Sequence, residues 1–297
     1  MNEPGFLRRL AGACSSSFLL RRGRDLWEKN SKDWNYPLSK WDKLLCGGYL
    51  IASDFAAGTF PPKFEDQALA YQNEIEYHKS VPGMDLAQMQ RSQITKPFWS
   101  AHPCGRFLGD FSHLFHILES HGVKPPQRLL ELGCGSGWMA EMLAHAGYSV
   151  VGTTISKYDV EIANKKAEAV RAKDPKADVR FIECPMESVD QIPDARGAFD
   201  AAFVYEALHH AFDWQKTLRA SAAILKPGGW LLLASEPNRL HTFIAYRVAK
   251  LSRTHEIGFT KSALVSELKK CGFSHVEVLR PKLNNQVKPF WIMARKD

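Results

Sequence analysis

The chain has 297 residues, 45% of them hydrophobic, enough for a sizeable core in one large domain with an appendage or in two small domains. Its net charge of +7 leaves open RNA, acidic small molecules, an anionic membrane surface or a merely solvated basic face. No run of about 18 apolar residues occurs, so no transmembrane helix is expected. The six cysteines, Cys14, Cys46, Cys104, Cys134, Cys184 and Cys271, form no C-x-x-C or zinc-like cluster, which argues against a metal site and for reduced thiols in a cytoplasmic protein.

Phe6, Leu10, Cys14 and Phe18 recur at i, i+4 among Arg8, Arg9, Arg21, Arg22 and Arg24, the pattern of a basic amphipathic helix. Ser15, Ser16 and Ser17 break the apolar run and further arginines follow, against a signal peptide. Two readings stand: a flexible or docked terminal helix, or peripheral contact with lipid or nucleic acid through residues 6–20. Trp27, Trp34 and Trp41 sit seven apart, but Pro37 interrupts a continuous helix, so they are expected as packing residues of a cap. Gly47, Gly48 and residues 58–62 mark loops. Helices are expected over 64–78, 84–93 and 107–121, with a loop over 96–106. Residues 1–124 thus read as a helical cap.

Residues 128–132 read as a buried strand, Gly133, Gly135 and Gly137 follow at alternate positions, and 139–146 reads as a helix. A strand, a glycine turn and a helix make a nucleotide-binding arrangement. Glycine permits positive φ and leaves no Cβ between backbone and ligand, and a helix start offers free N–H groups. The alternative is a turn that serves only strand-to-helix packing. Strands over 148–152, 179–183, 199–205 and 230–234 then alternate with helices over 160–172, 214–225 and 261–271. Lys226-Pro-Gly-Gly229 is expected to end the second of these helices. Alternation of this kind predicts a parallel sheet covered on both faces. Residues 275–279 and 289–294 are expected as a closing antiparallel pair, and 239–259 as an insertion before the last helix.

The spacing Glu131-x-Gly133-x-Gly135-x-Gly137 differs from the dinucleotide G-x-G-x-x-G and resembles motif I of the class I S-adenosylmethionine-dependent methyltransferases. Residues 199–210 resemble motif IV of the small-molecule branch of that superfamily (methyltransferase type 11/12-like), and the Asn/Asp-Pro-Pro-Tyr signature of amino-directed nucleobase enzymes is missing. The resemblance covers 128–297. It implies an α/β, Rossmann-like, seven-stranded, mostly parallel sheet with an antiparallel last strand over about 125–297, and a helical amino-terminal lid. It implies S-adenosyl-L-methionine as cofactor and a small-molecule acceptor methylated at O or N. The implied cofactor residues are Glu131, Gly133, Cys134, Gly135, Gly137 and Trp138 at motif I, and Thr153, Thr154 and Ile155 after the second strand. Met186 and Glu187 follow the third strand, and Tyr205 and Glu206 the fourth. Thr154 stands where the superfamily usually has an acid for the ribose, and Pro185 where an Asp usually meets the adenine. Lid candidates are Tyr71, Tyr77, Phe98, Trp99, His102 and Arg106, as an aromatic wall for substrate or sulfonium.

If the acceptor is a hydroxyl, a base helps, and histidine suits neutral pH. His209 and His210 are the candidates, each with a packing role as the alternative. Glu236, at the tip of the fifth strand, either faces the acceptor or caps a loop. The rival functions are RNA methylation, from the charge, and lipid carbon methylation of the cyclopropane-synthase type, from the Gly152-Thr-Thr-Ile-Ser156 string. A non-catalytic cofactor-binding scaffold, from Thr154 and Pro185, is the third.

Overall fold

The computed structural model describes residues 18–60, 66–79, 85–98, 101–279 and 289–297, the side chains of 101–103 excepted. Residues 6–17 of the basic amphipathic pattern, with Cys14, lie outside the described residues, as do Trp99 and the side chain of His102. The chain divides into two units, residues 1–84 with 239–257, and residues 85–238 with 258–297.

The second unit is built on one seven-stranded sheet. Its strands are β1 Arg128–Leu132, β2 Ser149–Thr154, β3 Val179–Glu183, β4 Phe199–Tyr205, β5 Leu225–Glu236, β6 Phe273–Leu279 and β7 Phe290–Lys296. Their order is β3-β2-β1-β4-β5-β7-β6. β1 to β5 pair in parallel, and β7 runs antiparallel to both β5 and β6. The central strands β1 and β4 are buried almost throughout, as strands covered on both faces must be, whereas β6 exposes Ser274, His275 and Glu277 at the sheet edge. The chain leaves β1 towards β3, then crosses back to β4. The segments leaving the carboxyl ends of β1 and β4 therefore run in opposite directions, and this reversal is where open α/β sheets bind ligands.

Two local expectations change in this unit. The 96–106 loop is shorter than its composition suggests, because a helix begins at Ala101 and runs to Ser120. Pro103 sits in its first turn, where a missing N–H breaks no helical bond. That helix buries Phe107, Leu114, Ile117 and Leu118 in the same core as Trp138, Leu143, Tyr148 and Phe203. Lys226-Pro-Gly-Gly229 is no separate stop signal. The helix Trp214–Ile224 ends before it and β5 begins at Leu225, absorbing the tetrapeptide as a register shift opposite Phe199 and Ala201.

The first unit contains the helices Phe18–Lys32, Lys40–Ala57, Gln67–Lys79 and Leu240–Ser252. Gly47 and Gly48, expected in a loop, lie inside Lys40–Ala57. That helix is started by a Ser39–Asp42 capping box and stopped by a left-handed Gly58, stronger signals than two interior glycines. The first two helices cross closely at Gly23, where a Cβ would lie 2.5 Å from the Leu45 carbonyl oxygen. Cys46, Leu50 and Tyr246 form the centre, with Trp27 packed against them. Trp34 meets the Tyr77 ring at 6.3 Å. Trp41, expected to pack, is 76% exposed because it projects from the outer face of its helix. The 239–257 segment is tied to the amino-terminal helices by Arg247 donating to Asn30 (2.6 Å) and by Lys250 against Asp54 (2.8 Å). Among the described residues no helix is long and apolar enough to cross a membrane.

Candidate functional site

The glycine turn is set by two bonds that prolong the pairing of β1 with β2. The Cys134 N–H donates to the Thr153 carbonyl (2.8 Å), and the Thr153 hydroxyl donates to the Glu131 carbonyl (3.1 Å). The Gly137 N–H then closes back on the Cys134 carbonyl (2.9 Å). Gly133, Gly135 and Gly137 have φ of 69°, 50° and 74°, the left-handed region that glycine adopts without a steric cost. The space around them differs. A Cβ on Gly133 would lie 2.6 Å from the Ala207 Cβ, and one on Gly137 would lie 2.5 Å from the Phe181 ring. A Cβ on Gly135 would meet nothing within 4 Å. Two glycines are thus required by packing, and the third borders open space at the sheet's switch point.

Glu131 points back under the turn. It is 3% exposed, and its carboxyl oxygen accepts the N–H of Ala140 (3.0 Å), one of the free donors at the start of the helix Trp138–His145. Burial pushes its carboxyl up to about 8, opposed by that N–H and by the Lys96 and Lys166 ammonium groups. The Cys134 thiol is buried in the core, and burial raises it well above the ordinary range. Trp138 is also buried, edge-on to Tyr205 with ring centres 5.9 Å apart.

At the tip of β2, Thr154 is buried and its hydroxyl accepts from the Ser156 N–H at 3.5 Å, while Ile155 is half-buried. After β3, the Met186 thioether lies 3.4 Å from where a Gly133 Cβ would stand. Glu187 is 1% exposed, and one of its oxygens accepts the Asp213 N–H (3.0 Å).

At the tip of β4, the Tyr205 hydroxyl donates to Asp110 (2.7 Å). Burial, with Glu206 and Asp110 nearby, pushes the phenol far above its ordinary value, so it stays a donor. Glu206 takes a φ of 46°, a left-handed position that is strained for a side chain of this size, and pairs with Arg106. The Arg106 guanidinium lies 4.6 Å from the centre of the Phe107 ring. The Lys96 ammonium stands 4.6 Å from the same ring and 5.9 Å from Trp138, and burial pulls its pKa down. Of the lid candidates, Arg106 therefore reaches Glu206, Phe98 is exposed, and Tyr71 and Tyr77 belong to the other unit. Asp110 and Lys96 escaped the sequence reading. The four-residue spacing of Arg106 and Asp110, which places them on one helix face, was the available signal.

His209 and His210 end the short 3-10 turn Leu208–His210, with ring centres 4.1 Å apart. His209 is 7% exposed, and its Nδ1 lies 2.9 Å from Glu236. Glu236 is fully buried and also accepts the N–H groups of Ala207 (2.9 Å), Leu208 (2.9 Å) and His209 (3.3 Å). It caps this turn, which is one of the two roles expected of it.

The Methyltransferase domain family matches residues 130–233. An S-adenosyl-L-methionine-dependent Diels-Alderase of Talaromyces variabilis is 37% identical over 141 residues, 48% of this chain and 46% of that protein. A ubiquinone biosynthesis O-methyltransferase of Paracidovorax citrulli is 28% identical over 214 residues, 68% of this chain and 86% of that protein. The chain spans less than two thirds of the length of most of the curated relatives it matches. The magnesium protoporphyrin IX methyltransferase of Synechocystis PCC 6803, solved with bound SAH, shares the fold. Its TM-score is 0.57 at 17% identity, covering 77% of this chain and all of that one. Residues 130–233 thus match a methyltransferase domain, and the sheet that holds them has the fold of the class I S-adenosylmethionine-dependent methyltransferases, whose cofactor is S-adenosylmethionine.

Proposed function

We propose that the chain binds S-adenosylmethionine over the glycine turn and transfers its methyl group to a small molecule, with a hydroxyl oxygen as the favoured acceptor and an amine nitrogen as the other. The observation that carries this reading is the open space at Gly135, bordered by a backbone that only glycine adopts at ease. The backbone of Gly133 to Gly137 would hold the cofactor, with Thr154 and Ile155 near its ribose and Met186 near its purine. Arg106, Glu206 and Trp138 would line its methionine end. The cofactor supplies an electrophilic methyl group on a sulfonium, so the protein's work is to align a nucleophile and exclude water. His209 takes the acceptor's proton. An oxygen acceptor is favoured by the ubiquinone biosynthesis O-methyltransferase, a relative matched over 86% of its length. Among the described residues the cysteines Cys46, Cys104, Cys134, Cys184 and Cys271 are free thiols, in keeping with work in the cytoplasm.

Calorimetry with S-adenosylmethionine tests the site. Wild type should bind, and Gly135→Val, which fills the open space, should not. Equal affinity of the two would sink the reading. On any acceptor that turns over, His209→Ala should lower kcat by about 10²–10⁴-fold, the usual worth of a general base, while leaving cofactor affinity within about twofold. A second reading, cofactor bound in service of chemistry other than methyl transfer, is favoured by the Diels-Alderase relative. Tight binding with no methyl transfer to any acceptor would support that one.

A further inference from the structure

We infer that Glu236 is a positioning residue. It holds the His209 imidazole as the tautomer with its proton on Nδ1, so that the ring's lone pair lies on Nε2. The inference deepens the proposed role of His209 and rests on that reading only for its catalytic consequence. The tautomer itself follows from the hydrogen-bond arithmetic around one carboxylate.

Four donors converge on Glu236. Oε1 accepts the N–H groups of Ala207 and Leu208, and Oε2 accepts that of His209 and meets its Nδ1 at 2.9 Å. A carboxylate has only acceptor sites. With three N–H groups already aimed at it, the fourth neighbour must donate as well, which places the imidazole proton on Nδ1. A cap for the 3-10 turn would need only the three backbone bonds. The fourth reaches a side chain that backbone capping does not require. A glutamine could cap part of the turn, but its amide nitrogen could not accept from Nδ1. The backbone around Glu236 is shaped for this contact. Ser235 adopts a φ of 59°, uncommon for a residue with a side chain, and the β5–β7 register shifts between Leu233 and Glu236. Irregularities of this kind re-aim a side chain at a strand end. Here they turn Glu236 inward under the tip of β4, where it is fully buried.

The consequence is chemical. A base that accepts through Nε2 needs its proton held on Nδ1, and a fixed orientation of the ring removes the need to find it during each turnover. Glu236→Gln keeps the shape and the Oε1 acceptor, and sets an N–H donor against Nδ1. The ring must then accept there and carry its proton on Nε2, where it can no longer act as a base.

The test is long-range proton–nitrogen NMR on the full chain labelled with ¹⁵N-histidine, at about pH 8.5, above the ordinary histidine value of about 6.5. The His209 signals are assigned by their loss in His209→Ala. Wild type should show the Nδ1–H form and Glu236→Gln the Nε2–H form. A wild-type ring protonated on Nε2, or on both nitrogens, overturns the inference, and so does an unchanged tautomer in the variant. Should Glu236→Gln not fold, the wild-type ring decides alone. On an acceptor that turns over, the variant should lose about 10²–10⁴-fold in kcat with S-adenosylmethionine affinity within about twofold. A flipped tautomer in a protein that methylates nothing would uphold the Glu236 contact and count against methyl transfer.

Discussion

Replacing Glu131 by glutamine should change how stability depends on pH. The carboxyl is 3% exposed and is held at about 8, chiefly by burial, against an ordinary value of 4.5. The native state therefore keeps a proton that the unfolded chain gives up. Stability from this source is fully present below pH 4.5 and is lost as pH rises to about 8. A gap of about 3.5, at about 1.36 kcal/mol for each pKa step, comes to about 5 kcal/mol. Glutamine keeps the volume and an oxygen for the Ala140 N–H but has no proton to lose. Urea unfolding of both proteins, followed from about pH 4.5 to about pH 9, isolates the effect. The stability of wild type relative to Glu131→Gln should fall by about 5 kcal/mol over that range, most of it between pH 4.5 and 8. A difference that stays flat would show that Glu131 ionises freely in the folded protein. Its role as a neutral anchor under the glycine turn would then be refuted.

Gly137 and Gly135 separate packing from binding. Gly137→Ala drives a Cβ into the Phe181 ring at a φ of 74° and should cost about 3 kcal/mol in urea unfolding. Gly135→Ala should cost only about 1–2 kcal/mol, from its φ of 50°, yet weaken S-adenosylmethionine binding by more than about tenfold in calorimetry. Tyr205→Phe removes the donor held by Asp110 and should destabilise by about 1 kcal/mol, measured by the same unfolding assay. The Arg106–Glu206 pair is partly exposed, so Arg106→Ala should change stability by less than about 1 kcal/mol. A fall of more than about tenfold in cofactor affinity or turnover would then mark Arg106 as part of the site. Equal small losses in both would leave it a surface pair.

The parts of the fold that were legible in advance are those whose causes are local. β1, the glycine turn and the helix after it occupy one short stretch, and the apolar runs of β1 and β4 announce strands covered on both faces. Alternation of strands and helices was enough to predict the parallel sheet, and its antiparallel close was expected from two successive strands after the last helix and from the family resemblance. Where the reading erred, a weak local signal met a stronger one. Gly47 and Gly48 suggested a loop, but Ser39, Asp42 and Gly58 bound a helix around them. The composition of 96–106 suggested an open segment, but proline is harmless in the first turn of a helix that buries Phe107.

The sequence by itself carried the resemblance to the superfamily, because the glycine spacing of 131–137 and the strand-tip motif of 199–210 are each written within a few residues. Only the tertiary structure decided which of those glycines packs and which borders open space, since that depends on Ala207 and Phe181 arriving from elsewhere in the chain. It also decided the partners of the charged groups. Arg106 and Glu206 lie 100 residues apart, and His209 and Glu236 27 apart. No periodicity links such positions. They meet because the sheet brings strand tips together, and a buried carboxylate then takes the donors that stand within its reach.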